Sequence, residues 1–142
     1  MIIEQILKTK GGEVTTVRDT ASLQATAKIL DEARIGAIVA LDGDGKVCGV
    51  LSERDIVRQM ARNGAAALGM TVGESMTRNV ITAKPGDTLE VCLSIMTDRR
   101  IRHLPIIRDG ALAGIISIGD LVKWKIAETE AEAESLKSYL AS

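Results

Sequence analysis

Two stretches of the chain share one pattern: Gly49-Val50-Leu51-Ser52-Glu53-Arg54-Asp55-Ile56-Val57 and Gly114-Ile115-Ile116-Ser117-Ile118-Gly119-Asp120-Leu121-Val122. Each has a glycine, two aliphatic residues, a serine, two variable positions, an aspartate and an aliphatic pair. The match runs backwards, with Val14-Thr15-Thr16-Val17 aligning with Val80-Ile81-Thr82-Ala83, and one residue is lost where Asp42-Gly43-Asp44-Gly45 faces Arg108-Asp109-Gly110. A duplication of this length means two copies of one supersecondary unit, so function should be sought in the unit and at the seam between copies.

The 142 residues fall in the single-domain range, yet each copy has roughly 65, which is marginal for independent folding and predicts a shared core. Hydrophobic periodicity gives the same β-α-β-β-α order in both copies. In the first, Val14–Val17 is β-rich, and Thr20 or Ser22 can cap a helix whose apolar positions are Leu23, Ala27, Ile29, Leu30 and Ala33. Ile35–Leu41 and Lys46–Leu51 flank a Gly/Asp turn, and Asp55 opens a helix through Met60 or beyond. The second copy predicts a strand over Val80–Ala83, a helix from Asp87 or Thr88 to Arg99, strands over Ile101–Ile107 and Leu112–Ile116, and a helix from Asp120. The expected organisation is an N-terminal helix over 1–13, a first repeat over 14–62, a linker with a short helix over 63–79, a second repeat over 80–126 and a helical extension over 127–142. In that extension Glu128, Glu130, Glu132 and Glu134 form either a solvated face or a helix that meets a partner.

Several functions are disfavoured by composition. No run of about 18 apolar residues is present to span a membrane, and Met1–Gln5 lacks the start of a secretory signal, so the expected location is cytoplasmic. One histidine, His103, and two widely separated cysteines, Cys48 and Cys92, argue against a metal site and for ordinary buried thiols. A formal net charge of −1 with 1% aromatic residues leaves little for a nucleic-acid surface.

The repeated Ser-x-x-Asp joins the end of a strand to the start of a helix. There the serine hydroxyl and the first helical N–H groups converge where the macrodipole favours an anion. The aspartate is an acceptor only and suits paired hydroxyls, as on a ribose. Phosphate beside the serine and ribose on the aspartate describe a nucleotide, with Gly49 and Gly114 giving room for close approach. The same pattern is also a plain helix N-cap with an acidic first turn. Its occurrence at equivalent places in both copies favours the nucleotide.

With these motifs, with Arg34-Ile35-Gly36-Ala37-Ile38-Val39 and Arg100-Ile101-Arg102-His103-Leu104-Pro105-Ile106, and with Glu74-Ser75-Met76-Thr77 ahead of the second copy, the chain resembles a tandem pair of cystathionine-β-synthase (CBS) domains, a Bateman module. The resemblance covers about residues 14–60 and 80–126. It implies an α/β (α+β) fold in which two β-α-β-β-α repeats pack sheet to sheet around a pseudo-twofold axis, leaving two clefts for adenosine-containing ligands such as AMP, ATP, NAD or S-adenosylmethionine. It also implies a homodimer. Carried over by position, it assigns Ser52 and Asp55 to one site with Thr82, Lys84, Ile101 and His103, and Ser117 and Asp120 to the other with Thr16, Ile35, Gly36 and Ala37. Ile35 and Ile101 would sandwich the adenine, and Arg102 and His103 would lie near phosphates. Arg54 corresponds to Gly119, so the two sites should differ in charge.

The function expected is a non-catalytic adenine-nucleotide sensor, suited to energy sensing and to regulating a further protein, with no catalytic cofactor, metal, nucleic acid or membrane. The alternative is a dimeric interaction scaffold with vestigial nucleotide clefts. A nucleotide hydrolase is disfavoured because no motif supplies a carboxylate pair, a metal cluster or an activated nucleophile.

Overall fold

The computed structural model describes residues 1–11 and 14–141. Gly12, Glu13 and Ser142, which close the expected 1–13 and 127–142 segments, lie outside the described residues. The chain divides into two compact units, Val14–Ile81 and Met1–Glu13 with Thr82–Ser142.

In the Val14–Ile81 unit, β1 (Thr16–Arg18) pairs parallel with β2 (Ala37–Leu41), which pairs antiparallel with β3 (Val47–Ser52). Between β1 and β2, α2 (Leu23–Ala33) begins at Ser22, whose side chain accepts from Ala25 N. It buries Leu23, Thr26 and Leu30, a helical spacing that covers one face of the sheet. α3 (Glu53–Asn63) follows β3 without a loop, and a 3-10 turn (Gly64–Gly69) and the short α4 (Val72–Ser75) complete the unit. Ile38, Ala40, Leu51, Ile56, Val72 and Met76 meet in its core.

The second unit repeats the plan. α5 (Leu89–Arg99), capped by Thr88, buries Leu89, Cys92 and Met96. β4 (His103–Arg108) and β5 (Ala111–Ser117) form an antiparallel pair joined at Asp109 and Gly110, both with positive φ as a tight hairpin requires. α6 (Ile118–Ala141) runs on for 24 residues, so the expected extension continues the last helix without a break. Arg34 and Arg100, which end α2 and α5, both adopt φ of 54°, a left-handed cap more usual for glycine.

The strand expected over Val80–Ala83 is reduced to one parallel bridge between Ala83 and Ile106. The reason lies two residues on. In the first unit Asp19 N donates to Leu41 O at 3.0 Å and extends the ladder. The equivalent residue is Pro85, which has no N–H to give.

The segment ahead of each repeat also has a repeated role. α1 (Ile3–Lys10) belongs with the second unit, where Ile3 N donates to Asp87 O and Glu4 N to Pro85 O at 2.9 and 2.8 Å. In the first unit α4 makes the matching bonds, Val72 N to Ala21 O and Gly73 N to Asp19 O, both 2.8 Å. The N-terminal helix and the linker helix are therefore equivalent parts of the duplication. Each supports the repeat that it does not immediately precede.

Gly49 and Gly114 are explained by the same pair. A Cβ on Gly114 would come within 2.5 Å of Leu7 Cδ2, and one on Gly49 would overlap the Met76 side chain. Both glycines are buried, and what approaches them closely is a side chain of the supporting segment.

Candidate functional site

Both Ser-x-x-Asp motifs sit where the sequence puts them, at a junction with no loop between strand and helix. Ser52 closes β3 and caps α3: its Oγ accepts from Asp55 N at 3.2 Å, while its own N–H donates to Asp55 Oδ2 at 2.9 Å. Ser117 and Asp120 repeat this, at 3.0 and 2.9 Å. These are reciprocal capping boxes. The plain N-cap reading thus describes part of each motif, because one carboxylate oxygen is used in holding the helix start. The serine O–H, whose oxygen accepts, remains a donor that can face an anion.

The strand opposite each motif brings in further predicted residues. Ala37 pairs with Ser52, and Gly36 O accepts from Glu53 N at 2.9 Å. His103 pairs with Ser117, and Arg102 O accepts from Ile118 N at 2.8 Å. Gly36, Ala37, Ser52 and Asp55 are thus neighbours in one unit, as are Arg102, His103, Ser117 and Asp120 in the other, whereas the resemblance assigned Gly36 and Ala37 to the Asp120 site and His103 to the Asp55 site. Ile35 and Ile101 are half-buried just before these strands, and Thr16 lies on β1. Thr82 and Lys84 are exposed on either side of the Ala83 bridge, and Arg54 and Gly119 are exposed in the first helical turn after each serine.

The remaining carboxylate positions distinguish the motifs. Asp55 Oδ1 holds Arg58 Nη1 at 3.1 Å, one turn along the same helix. Asp120 Oδ2 accepts from Lys10 Nζ at 2.7 Å, and the same ammonium donates to Ile115 O at 2.9 Å. Burial alone would raise the Asp120 carboxyl, but the Lys10 ammonium and the Ser117 N–H and hydroxyl outweigh it and hold the group below its ordinary value. Asp120 Oδ1 has no donor among the described residues. Lys10 lay outside every motif, and only its place at the last turn of α1 reveals it.

In the first unit a cavity of about 500 Å³ opens between the end of α2 and the start of α3, lined by Leu30, Arg34, Ile35, Gly36, Ile56 and Val57 among others. In the helices that follow the motifs, Ile56 and Leu121 are buried in their own units, whereas Val57, Met60 and Val122 are exposed. Both thiols are held protonated by their environment: burial, with Asp87 nearby, pushes Cys92 up to about 11, and burial, Asp19 and Asp42 raise Cys48.

A three-stranded and a two-stranded sheet, each followed by a helix that starts on a copy of the duplicated motif, define a tandem-repeat module. The chain belongs to the CBS-domain family, whose model matches residues 3–62 and 72–127. The solved structure of a CBS-domain-containing protein from Agrobacterium tumefaciens is 43% identical, with a TM-score of 0.83, covering 86% of this chain and 91% of that one. The CBS domain pair of protein MJ0100, solved in complex with methylthioadenosine and S-adenosyl-L-methionine, is 26% identical, with a TM-score of 0.80, covering 90% of this chain and 98% of that one. Among curated relatives, the mitochondrial CBS domain-containing protein CBSX3 of Arabidopsis thaliana is 30% identical over 97% of this chain and 71% of its own length. The two family matches begin at α1 and at α4, in agreement with the equivalence of these segments.

Proposed function

We propose that the chain is a non-catalytic regulatory module that binds adenosine-containing ligands on its two Ser-x-x-Asp motifs. The observation that carries this is the same reciprocal Ser–Asp capping at equivalent strand–helix junctions, supported by the adenosyl compounds bound by the MJ0100 pair. Each aspartate is anchored by its serine N–H and would take ribose hydroxyls on its other oxygen. The serine hydroxyl and first-turn N–H groups would take a phosphate or another anion.

AMP, ATP and NAD are the finer ligand candidates. Exposed Arg54 beside Asp55 would favour the ligand with more phosphate, and Gly119 beside Asp120 would accept a monophosphate such as AMP. A homodimer and a regulated partner protein complete the proposal, with exposed Val57, Met60 and Val122 as apolar surface for assembly. Mass spectrometry of small molecules released from the purified protein tests the reading. An adenosyl compound supports it, and failure of all four candidates, AMP, ATP, NAD and S-adenosylmethionine, to bind at millimolar concentration would leave the scaffold alternative.

A further inference from the structure

From Val122 to Leu140, α6 carries a stripe that neither the fold nor the proposed ligand sites use. Leu121 is fully buried, Trp124 and Glu128 are half-buried, and Lys125 is tied to Glu90 of α5, so this face holds the helix to its own unit. About a quarter-turn away lie Val122, Ile126, Thr129, Ala133, Leu136 and Leu140. Their spacing alternates between four and three residues for about 27 Å of helix. All are exposed, the large ones strongly: Val122 by 46%, Ile126 by 54%, Leu136 by 59% and Leu140 by 73%. Alternating steps of four and three are the a/d seam of a left-handed coiled coil, with Ile126, Ala133 and Leu140 at a, and Val122, Thr129 and Leu136 at d.

We infer that this stripe is an interface with a second copy of the same chain, formed by parallel, in-register pairing of the two α6 helices.

The flanking charges choose the partner and its direction. In a parallel pair each g position faces the following e position of the other helix. That sets Lys125 against the partner's Glu130, and Glu132 against the partner's Lys137, two attractions repeated by symmetry. An antiparallel pair would set Glu130 against the partner's Glu130, Glu132 against the partner's Glu132, and Lys123 against the partner's Lys137. Those contacts are all repulsive. Lys125 already has Glu90 and Glu128 as partners at 3.1 and 3.5 Å, so its contact across the seam competes with them. Glu132 and Lys137 have no ion-pair partner among the described residues and gain one in the parallel dimer.

A seam of under three heptads does not hold two free helices together in water. Here α6 is fixed at its start by Leu121 and by the Lys125–Glu90 contact, so part of the ordering cost is met by the fold itself.

The test is in-register crosslinking of the full chain. Leu136→Cys, at a d position, meets its own counterpart only in the parallel arrangement. Under mild oxidation it should give a disulfide-linked dimer in high yield, where the parent chain with Cys48 and Cys92 gives little. Ser138→Cys, on the outer face of the helix, should link poorly. In parallel, Ile126→Asp with Leu136→Asp should weaken self-association at least tenfold in sedimentation equilibrium, with unchanged circular dichroism and ligand binding. A parent that is monomeric at tens of micromolar, or a Leu136→Cys chain that crosslinks no better than Ser138→Cys, overturns the inference. A dimer without the Leu136 link would place self-association on another surface, and a monomer would leave the stripe to a different protein; the ligand-binding proposal stands in either case.

Discussion

Lys10 reaches across the second unit to Asp120 at 2.7 Å, although 110 residues separate the two in sequence. The contact joins the N-terminal helix to the aspartate of a candidate binding motif, and among the described residues the motif at Asp55 has no counterpart to it. Asp55 instead holds Arg58 of its own helix. Two motifs that read alike are thus wired differently.

Acid stability should report the Lys10 contact. The Asp120 carboxyl lies below its ordinary value of 3.8 in the folded chain, so its contribution is fully present above that pH. It fades as the pH falls from about 3.8 through the lower folded value. Lys10→Met should cost about 0.5–1 kcal/mol at neutral pH, since the pair is partly exposed, and should flatten the loss of stability in that acid window. Urea unfolding at pH 7 and between pH 4 and 3 measures both. An unchanged acid slope would count against the contact.

Arg58→Ala should release Asp55 Oδ1 and tighten a ribose-bearing ligand at the first motif a few-fold, because the arginine is more than half exposed and its ion pair is weak. Calorimetric titration would read the change. A loss of affinity would mean that Arg58 contacts the ligand.

Arg54→Ala should weaken the first motif by about 1–3 kcal/mol for a phosphorylated ligand, lower its salt dependence and leave the second motif nearly unchanged. Equal affinities for AMP and NAD in parent and variant at low salt would place the arginine away from the phosphate.

Gly114→Ala should destabilise the chain by about 1–3 kcal/mol, because the added carbon meets Leu7 in a filled core. Gly114→Ala with Leu7→Ala should recover part of that loss. A neutral single substitution in denaturant unfolding would show that Leu7 moves aside freely.

Much of this architecture is legible in the sequence because it is local. Ser22, Thr88 and the two Ser-x-x-Asp motifs announce their helices through short-range caps, and Asp109-Gly110 announces its hairpin. What the sequence conceals is which unit an element packs on. The apolar face of α1 shows that Ile3, Ile6 and Leu7 are buried somewhere, but not that they support the second repeat. For that reason Lys10 is invisible until α1 is placed, and the two glycines read as room for a ligand when they are room for Leu7 and Met76. The missing ladder bond at Pro85 was visible in the residue itself. The β-rich Val80–Ala83 ahead of it points the other way.

Calorimetry with AMP beside 2′-deoxy-AMP tests whether the carboxylates of Asp55 and Asp120 read a ribose. Each lost charge-assisted hydrogen bond is worth about 1.5–3 kcal/mol. The deoxy ligand should therefore bind about tenfold to somewhat over a hundredfold more weakly, and Asp120→Asn should reduce that discrimination at one site while leaving the other measurable. Equal affinities for AMP and 2′-deoxy-AMP in the parent chain would contradict the account.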